Sequence, residues 1–314
     1  MLLPTRIVFG DTIIEHAEYR DDFVVFNADT KTCHLENFGS AYPDRAYSFG
    51  IAEQNLIGAA AGMASCGTKV IVATYSVFLC LRACEQVRTY ICQPGFDVMM
   101  LGTHAGLLTG TEGASHIAVE DISIMRAIPN LTIIEPSDAV SARKMAAGAL
   151  DFKGPLYVRL HFAPVPDVHN PKTYRFEIGK ANLLVDGEAE VTFLVTGILL
   201  GKVLAAAEEL YKEGIRANVT EFPTIKPLDE EAVLYAAQKT GAVVTVEDNT
   251  ILGGFGSAVA EVLAENRPIP LQRIGIRDRF GESGSPEKLY EQNHMTVADM
   301  VAAAKKVIAG KAAL

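Results

Sequence analysis

The first residue of chemical interest is a carboxylate at the head of an otherwise small and apolar run. Glu53 begins Glu53-Gln54-Asn55 within FGIAEQNLIGAAAGMAS, residues 49–65. The Ala/Gly-rich remainder predicts a closely packed helix with Glu53 in its first turn. A carboxylate there complements the helix dipole, worth about 0.3–1 kcal/mol, and an exposed face would serve that purpose equally well. Among apolar neighbours the same group is desolvated. Desolvation favours the protonated acid, and perturbed acids cluster at functional sites.

A second set lies in THAGLLTGTEGASH, residues 103–116, a long glycine-rich loop after an apolar run. It carries His104, Glu112 and His116, which suit proton transfer or hydrogen bonds to a hydroxylated substrate. Two alternatives are a solvated surface loop and a His104-Glu112-His116 zinc set, although no H-E-x-x-H spacing supports zinc. Asp29 follows the apolar run Val25-Phe26. Tyr75 and Phe78 follow another and offer either an aromatic face to a flat ligand or core packing. Arg159 ends a further run, where it pairs with a phosphate or carboxylate ligand or forms a structural ion pair. Gly253-Gly254-Phe255-Gly256 reads as a tight turn opening a helix, with an incomplete dinucleotide fingerprint.

These residues need a scaffold that brings strand ends together. Short β-branched runs at 23–26, 69–74, 98–101, 131–134 and 156–159 predict strands. Helices are predicted between them at 54–65, 77–92, 119–127 and 138–150, with Pro136-Ser137-Asp138 a helix start. Continuously apolar strands indicate a parallel sheet covered on both faces. Residues 161–177 hold three prolines and no apolar period, and read as a linker. The pattern restarts with strands at 191–196, 217–221, 242–246 and 271–274. Helices follow at 199–212, 229–238, 256–265 and 297–308, with Thr296 capping the last. The expected division is an α/β domain over 1–163, a linker over 164–175 and a smaller α/β domain over 176–314. In parallel α/β sheets ligands bind at the carboxyl ends of strands, where the candidate residues lie.

Composition narrows the class. The chain has 314 residues, 49% hydrophobic and 21% charged, with a net charge of -10. That supports a sizeable core and argues against nucleic-acid or anionic-membrane surfaces, which need basic patches. Five cysteines read as reduced thiols of a cytoplasmic protein. Cys80 and Cys84 share a helix face at i,i+4, without a second pair to complete a zinc set. The start of the sequence lacks signal-peptide features, and no apolar run reaches the ~20 residues a membrane span takes. A soluble protein is expected.

The run FGIAEQNLIGAAAGMASCG resembles the pyrimidine-binding domain of transketolases and 1-deoxyxylulose-phosphate synthases. So do VVFNADTKT, ATYSVFLCLRACEQVR and GTHAGLLTGTEGASHIAVEDISIMRAIPNLTIIEPSDA. VEDNTILGGFGSAVAE and RFGESGSPEKLYE resemble the C-terminal part of the same family. The resemblance covers nearly the whole chain. The family's diphosphate-binding G-D-G, with its downstream Asn, does not occur here. This implies the C-terminal subunit of a split transketolase, with a separate N-terminal subunit holding the diphosphate and Mg²⁺ of thiamine diphosphate. A heterotetramer is implied.

What the resemblance implies for the site follows residue by residue. Glu53 matches the glutamate that hydrogen-bonds a ring nitrogen of the aminopyrimidine. Phe78 matches the aromatic stacked on that ring, while Leu81 stands where the family often has an aromatic. His104 and His116 match histidines that contact the substrate and take part in catalysis. Glu112 falls where an acid reads donor hydroxyls. Arg159 falls near the arginine that holds the sugar phosphate, with no further cation in Leu160-His161-Phe162-Ala163. Asp29 matches an acid near the cofactor. The implied activity is transfer of a two-carbon ketol unit from a ketose, usually phosphorylated, to an aldose. Rival readings are a deoxyxylulose-phosphate synthase, a 2-oxo-acid dehydrogenase β subunit, and a non-catalytic binding subunit that has kept the fold.

Overall fold

Aliphatic and β-branched residues in the first half form six strands: β1 (Phe23–Asn27), β2 (Ala46–Ser48), β3 (Lys69–Tyr75), β4 (Val98–Thr103), β5 (Thr132–Ile134) and β6 (Leu156–Arg159). The computed structural model describes residues 2–311. The strands are parallel and lie in the order β5-β6-β4-β3-β1-β2. Helices cover the sheet: α1 (Thr5–Ala17), α2 (Leu35–Ala41), α3 (Glu53–Ser65), the single turn α4 (Cys84–Gln86), α5 (Asp121–Arg126) and α6 (Ala139–Asp151). Every residue of β4 and all but the last of β3 are buried, which explains the apolar runs at 70–73 and 98–101.

The second half contains β7 (Asn182–Val185), β8 (Val191–Val195), β9 (Ala217–Glu221), β10 (Thr224–Lys226), β11 (Val243–Thr250) and β12 (Leu271–Ile276). Five of these make a second sheet, β12-β11-β8-β9-β7, parallel except for the edge strand β7. Its helices are α7 (Leu200–Lys212), α8 (Glu230–Thr240), α9 (Phe255–Asn266), α10 (Pro286–Gln292) and α11 (Val297–Lys311). The fold is therefore a parallel-sheet α/β domain followed by a smaller α/β domain.

The two halves interlock more than their sequence pattern indicates. Strand β10 leaves its neighbours and adds antiparallel to β5, at the edge of the first sheet. Phe222 and Phe255 of the second half belong to one apolar core with Ile133 and Tyr157 of the first. The proline-rich connection is also tied down. Asp138 caps α6 by accepting the Ser141 N–H at 2.7 Å, and its other oxygen accepts the N–H groups of Val168 and His169.

Three helices have no counterpart in the sequence reading: α1, α2 and α10. The stretch expected as one helix over 77–92 is broken. Phe78–Arg82 and Val87–Cys92 are π-helical turns on either side of α4. Wide turns of this kind concentrate at functional sites, and this one faces the candidate site.

Candidate functional site at the strand ends

Parallel register places the carboxyl ends of β3, β4 and β6 side by side. Tyr75 pairs with Thr103, and Gly102 pairs with both Thr74 and Arg159. The chain leaves β4 through His104 in a left-handed conformation, with φ of 60°. That turn lays the imidazole on the Tyr75 ring, 3.9 Å between centroids. Tyr75 stacks in turn on Phe78 at 5.7 Å and 9° between planes. His116 comes back edge-on to both, 5.6 Å from Tyr75 and 5.3 Å from Phe78. Phe162, just past β6, closes the group 4.7 Å from His104. So three of the expected residues, Phe78, His104 and His116, meet around Tyr75.

His104 is 3% exposed. Burial pushes its pKa down to about 3, with help from the Arg6 guanidinium and His116. The ring is thus neutral across the physiological range. Thr103 Oγ1 sits 2.9 Å from its Nδ1, which leaves Nε2 for a substrate. His116 is half-buried, with Ser115 Oγ 2.9 Å from its Nδ1.

Glu53 opens α3 as expected and is 1% exposed. Its surroundings are less apolar than the small-residue helix suggests. Thr74 Oγ1 donates to Oε1 at 3.4 Å, and Arg82 Nη1 donates to Oε2 at 2.6 Å. The same guanidinium lies 4.4 Å over the Phe78 ring. Arg82 lies one turn after Phe78, on the π-turn that closes Ala83 N–H on Phe78 O, five residues back. A flat, N–H-bearing group therefore already rests between the Glu53 carboxylate and an aromatic face. An aminopyrimidine is likewise flat and stacks on an aromatic face, and a buried carboxyl can meet its ring nitrogen through a proton, so these residues fit the ring of thiamine diphosphate. Leu81 beside them is 49% exposed.

The remaining expected residues stand apart. Asp29 is exposed in a left-handed turn after β1, where its N–H bonds Asn27 Oδ1. Glu112 is exposed at the end of the short helical segment Leu107–Glu112. Arg159 must be corrected. It is fully buried, and its guanidinium donates to both oxygens of Asp121, to Glu135 and to the carbonyls of Ala118 and Asp248. A fully buried cation held by two carboxylates is a structural ion pair, out of reach of a sugar phosphate.

Arg6 lies at the start of α1, a helix that the sequence pattern does not announce. Its guanidinium lies 4.9 Å over the Phe162 ring and donates to Phe162 O at 3.3 Å. Among the described residues no carboxylate is within ion-pair distance of it. It is the partly exposed cation beside His104.

The second domain holds the histidine loop in place. Asp248 accepts the Leu107 N–H at 3.0 Å and the Tyr290 O–H at 2.9 Å. A side chain on Gly106, which has φ of +70°, would run into that carboxylate. Glu135 links the domains from the other side, bonded to Arg159, His161 and Thr196. The glycine run at 253–256 is a tight turn serving the interior. Its backbone N–H groups at Phe255 and Gly256 donate to Glu247, at 2.7 and 2.8 Å. Burial raises the Glu247 pKa to about 7 despite these bonds. Among the described residues no group of three His, Cys, Asp or Glu side chains is placed to hold a metal. No described helix is long and apolar enough to cross a membrane.

The transketolase pyrimidine-binding domain family matches residues 2–165, which carry the aromatic and histidine cluster and Glu53. The chain belongs to the transketolase family. The transketolase C-terminal domain family matches residues 179–300. The 6-deoxy-6-sulfo-D-fructose transketolase subunit of Clostridium sp. (strain MSTE9) is 41% identical over 96% of this chain and 94% of its own length. A putative transketolase C-terminal section from Methanocaldococcus jannaschii is 41% identical over 90% of this chain and 89% of its own length. A solved split-gene transketolase, described as an inactive beta4 tetramer, superposes with a TM-score of 0.91 at 41% identity, covering 98% of this chain and 99% of that one. The chain thus has the two-domain organisation of split transketolase C-terminal subunits. The family implies thiamine diphosphate, and the Glu53–Phe78 slot lies in the matched pyrimidine-binding domain.

Proposed function

We propose that this chain, with an N-terminal transketolase subunit carrying the diphosphate-binding G-D-G and a downstream Asn, transfers a two-carbon ketol unit from a ketose to an aldose. The carrying observation is the slot between Glu53 and Phe78, set beside the neutral His104. When bound, thiamine diphosphate supplies the electron sink for breaking the bond next to the ketose carbonyl. Glu53 is suited to hold a proton at a ring nitrogen, because it is the buried carboxyl facing the slot. Phe78 offers the ring its face. His104 Nε2 hydrogen-bonds a substrate oxygen as a neutral imidazole, and His116 hydrogen-bonds the substrate and moves protons there. Glu112 is assigned to donor hydroxyls and Asp29 to the neighbourhood of the cofactor, as the family resemblance implies. Arg6 meets an anionic far end of the sugar in place of the interior Arg159. Mg²⁺ is assigned to the partner, and the two chains to a cytoplasmic heterotetramer.

Coexpression with such a partner chain tests the reading. The expected results are a stoichiometric complex and thiamine-diphosphate-dependent ketol transfer. Glu53→Gln in that complex is expected to lower turnover by about 100-fold or more, in the range of other general acid–base deletions. Full turnover in the Glu53→Gln complex would sink the mechanism.

A further inference from the structure

We propose that Arg82 is a competitor for the cofactor slot: in the free chain its guanidinium occupies the place between Glu53 and Phe78 that the cofactor ring must take, and it has to leave for the ring to enter. This rests on reading the slot as the pyrimidine site.

Three features carry the argument. The guanidinium makes both contacts the ring would need, at 2.6 Å to Glu53 Oε2 and 4.4 Å over Phe78. Both groups are flat, stack on an aromatic face and would meet the same Glu53 carboxyl, so they are mutually exclusive in one slot. The side chain also has somewhere to go. It is 44% exposed, whereas the Glu53 side chain is 1% exposed. Its backbone stays anchored, because Gln54 Nε2 donates to Arg82 O at 3.1 Å. Rotation of the side chain alone clears the slot.

The pair also sets what Glu53 can do. Paired with Arg82, it is a carboxylate accepting hydrogen bonds. To hold a proton toward a ring nitrogen it must lose that partner. Removal of Arg82 therefore accompanies both entry of the ring and the change in the role of Glu53.

The test compares the wild-type and Arg82→Ala two-chain complexes by calorimetric titration with thiamine diphosphate and Mg²⁺. The expected result is roughly 2- to 5-fold tighter binding in the variant, the scale of a part-exposed ion pair no longer broken on binding. The gap should narrow at high ionic strength, which weakens the pair. Weaker or equal binding in the variant would overturn the proposal and make Arg82 a cofactor ligand or a bystander. Absence of binding in both complexes would overturn the cofactor reading, and this proposal with it. A second measurement needs no cofactor. In the free chain, a urea-unfolding cycle of Arg82→Ala, Glu53→Gln and the double variant should show that the two side chains couple. Zero coupling would overturn the contact itself.

Discussion

The Asp248 carboxylate, on the second sheet, accepts the backbone N–H of Leu107, in the loop of the first domain that carries His104 and His116. One domain thus holds a backbone position in the other's candidate site. The same carboxylate takes the Tyr290 O–H from α10. Removing it leaves two buried donors without a partner. Asp248→Ala is expected to cost about 2–6 kcal/mol, from about 1–3 kcal/mol for each of the two orphaned buried donors. Asp248→Asn keeps an oxygen for Leu107 and should recover most of that. Urea unfolding together with hydrogen exchange at the Leu107 amide checks both. Unchanged exchange at Leu107 in Asp248→Ala would show that the loop is held some other way.

Glu135 predicts an acid limit to stability. Burial opposes its charge, but the Arg159 guanidinium and His161 outweigh burial and pull its pKa down to about 2. An unfolded glutamate titrates near ~4.3. Below that value the unfolded chain takes up a proton that the folded chain resists. The contribution is complete above ~4.3 and is lost as pH falls through about 2. Glu135→Gln should flatten this part of the stability–pH curve. It should also cost about 3–5 kcal/mol near neutral pH, because Arg159 is left short of a buried partner. A curve of unchanged slope in the variant would contradict the assignment.

His104 acts in the same direction in a higher window. Its folded pKa near 3 lies below the unfolded value of ~6.5. Its contribution is present above ~6.5 and fades as pH falls toward 3. Nitrogen NMR shifts of the ring should report neutral imidazole at pH 5, where an ordinary histidine is mostly protonated. Titration of His104 near 6.5 would mean that the ring is wet, and the packed cluster with Tyr75 and Phe162 would be wrong.

Arg6 should affect binding more than chemistry. Arg6→Ala in the two-chain complex is expected to raise KM for an anionic ketose by about 10- to 100-fold, the loss of a charge-assisted contact, with kcat changed little. A ketose without the anion should be indifferent to the substitution. Equal effects on both substrates would leave Arg6 as packing for Phe162.

The sequence by itself determined the layer order and the position of most strands. Buried parallel strands must be continuously apolar, and their turns must carry Gly, Pro, Asn or Asp. It also placed Glu53 at a helix start and His104 and His116 on one loop, because both follow from local chain direction. Tertiary structure alone decided which charges face the site. Arg159 and Arg6 are each a single arginine near an element end, and nothing local separates them. Asp121, Glu135 and the Asp248 carbonyl draw Arg159 into the interior, while Arg6 has Phe162 and no such acid. These partners are 24, 38 and 89 residues away from Arg159. Such pairings depend on how elements distant in the chain pack, which no periodicity records. The Arg82 contact is hidden for a related reason. Phe78 and Arg82 are four residues apart, so a helical turn puts them on one face, but only the packing of α3 against that turn brings Glu53 to the same guanidinium.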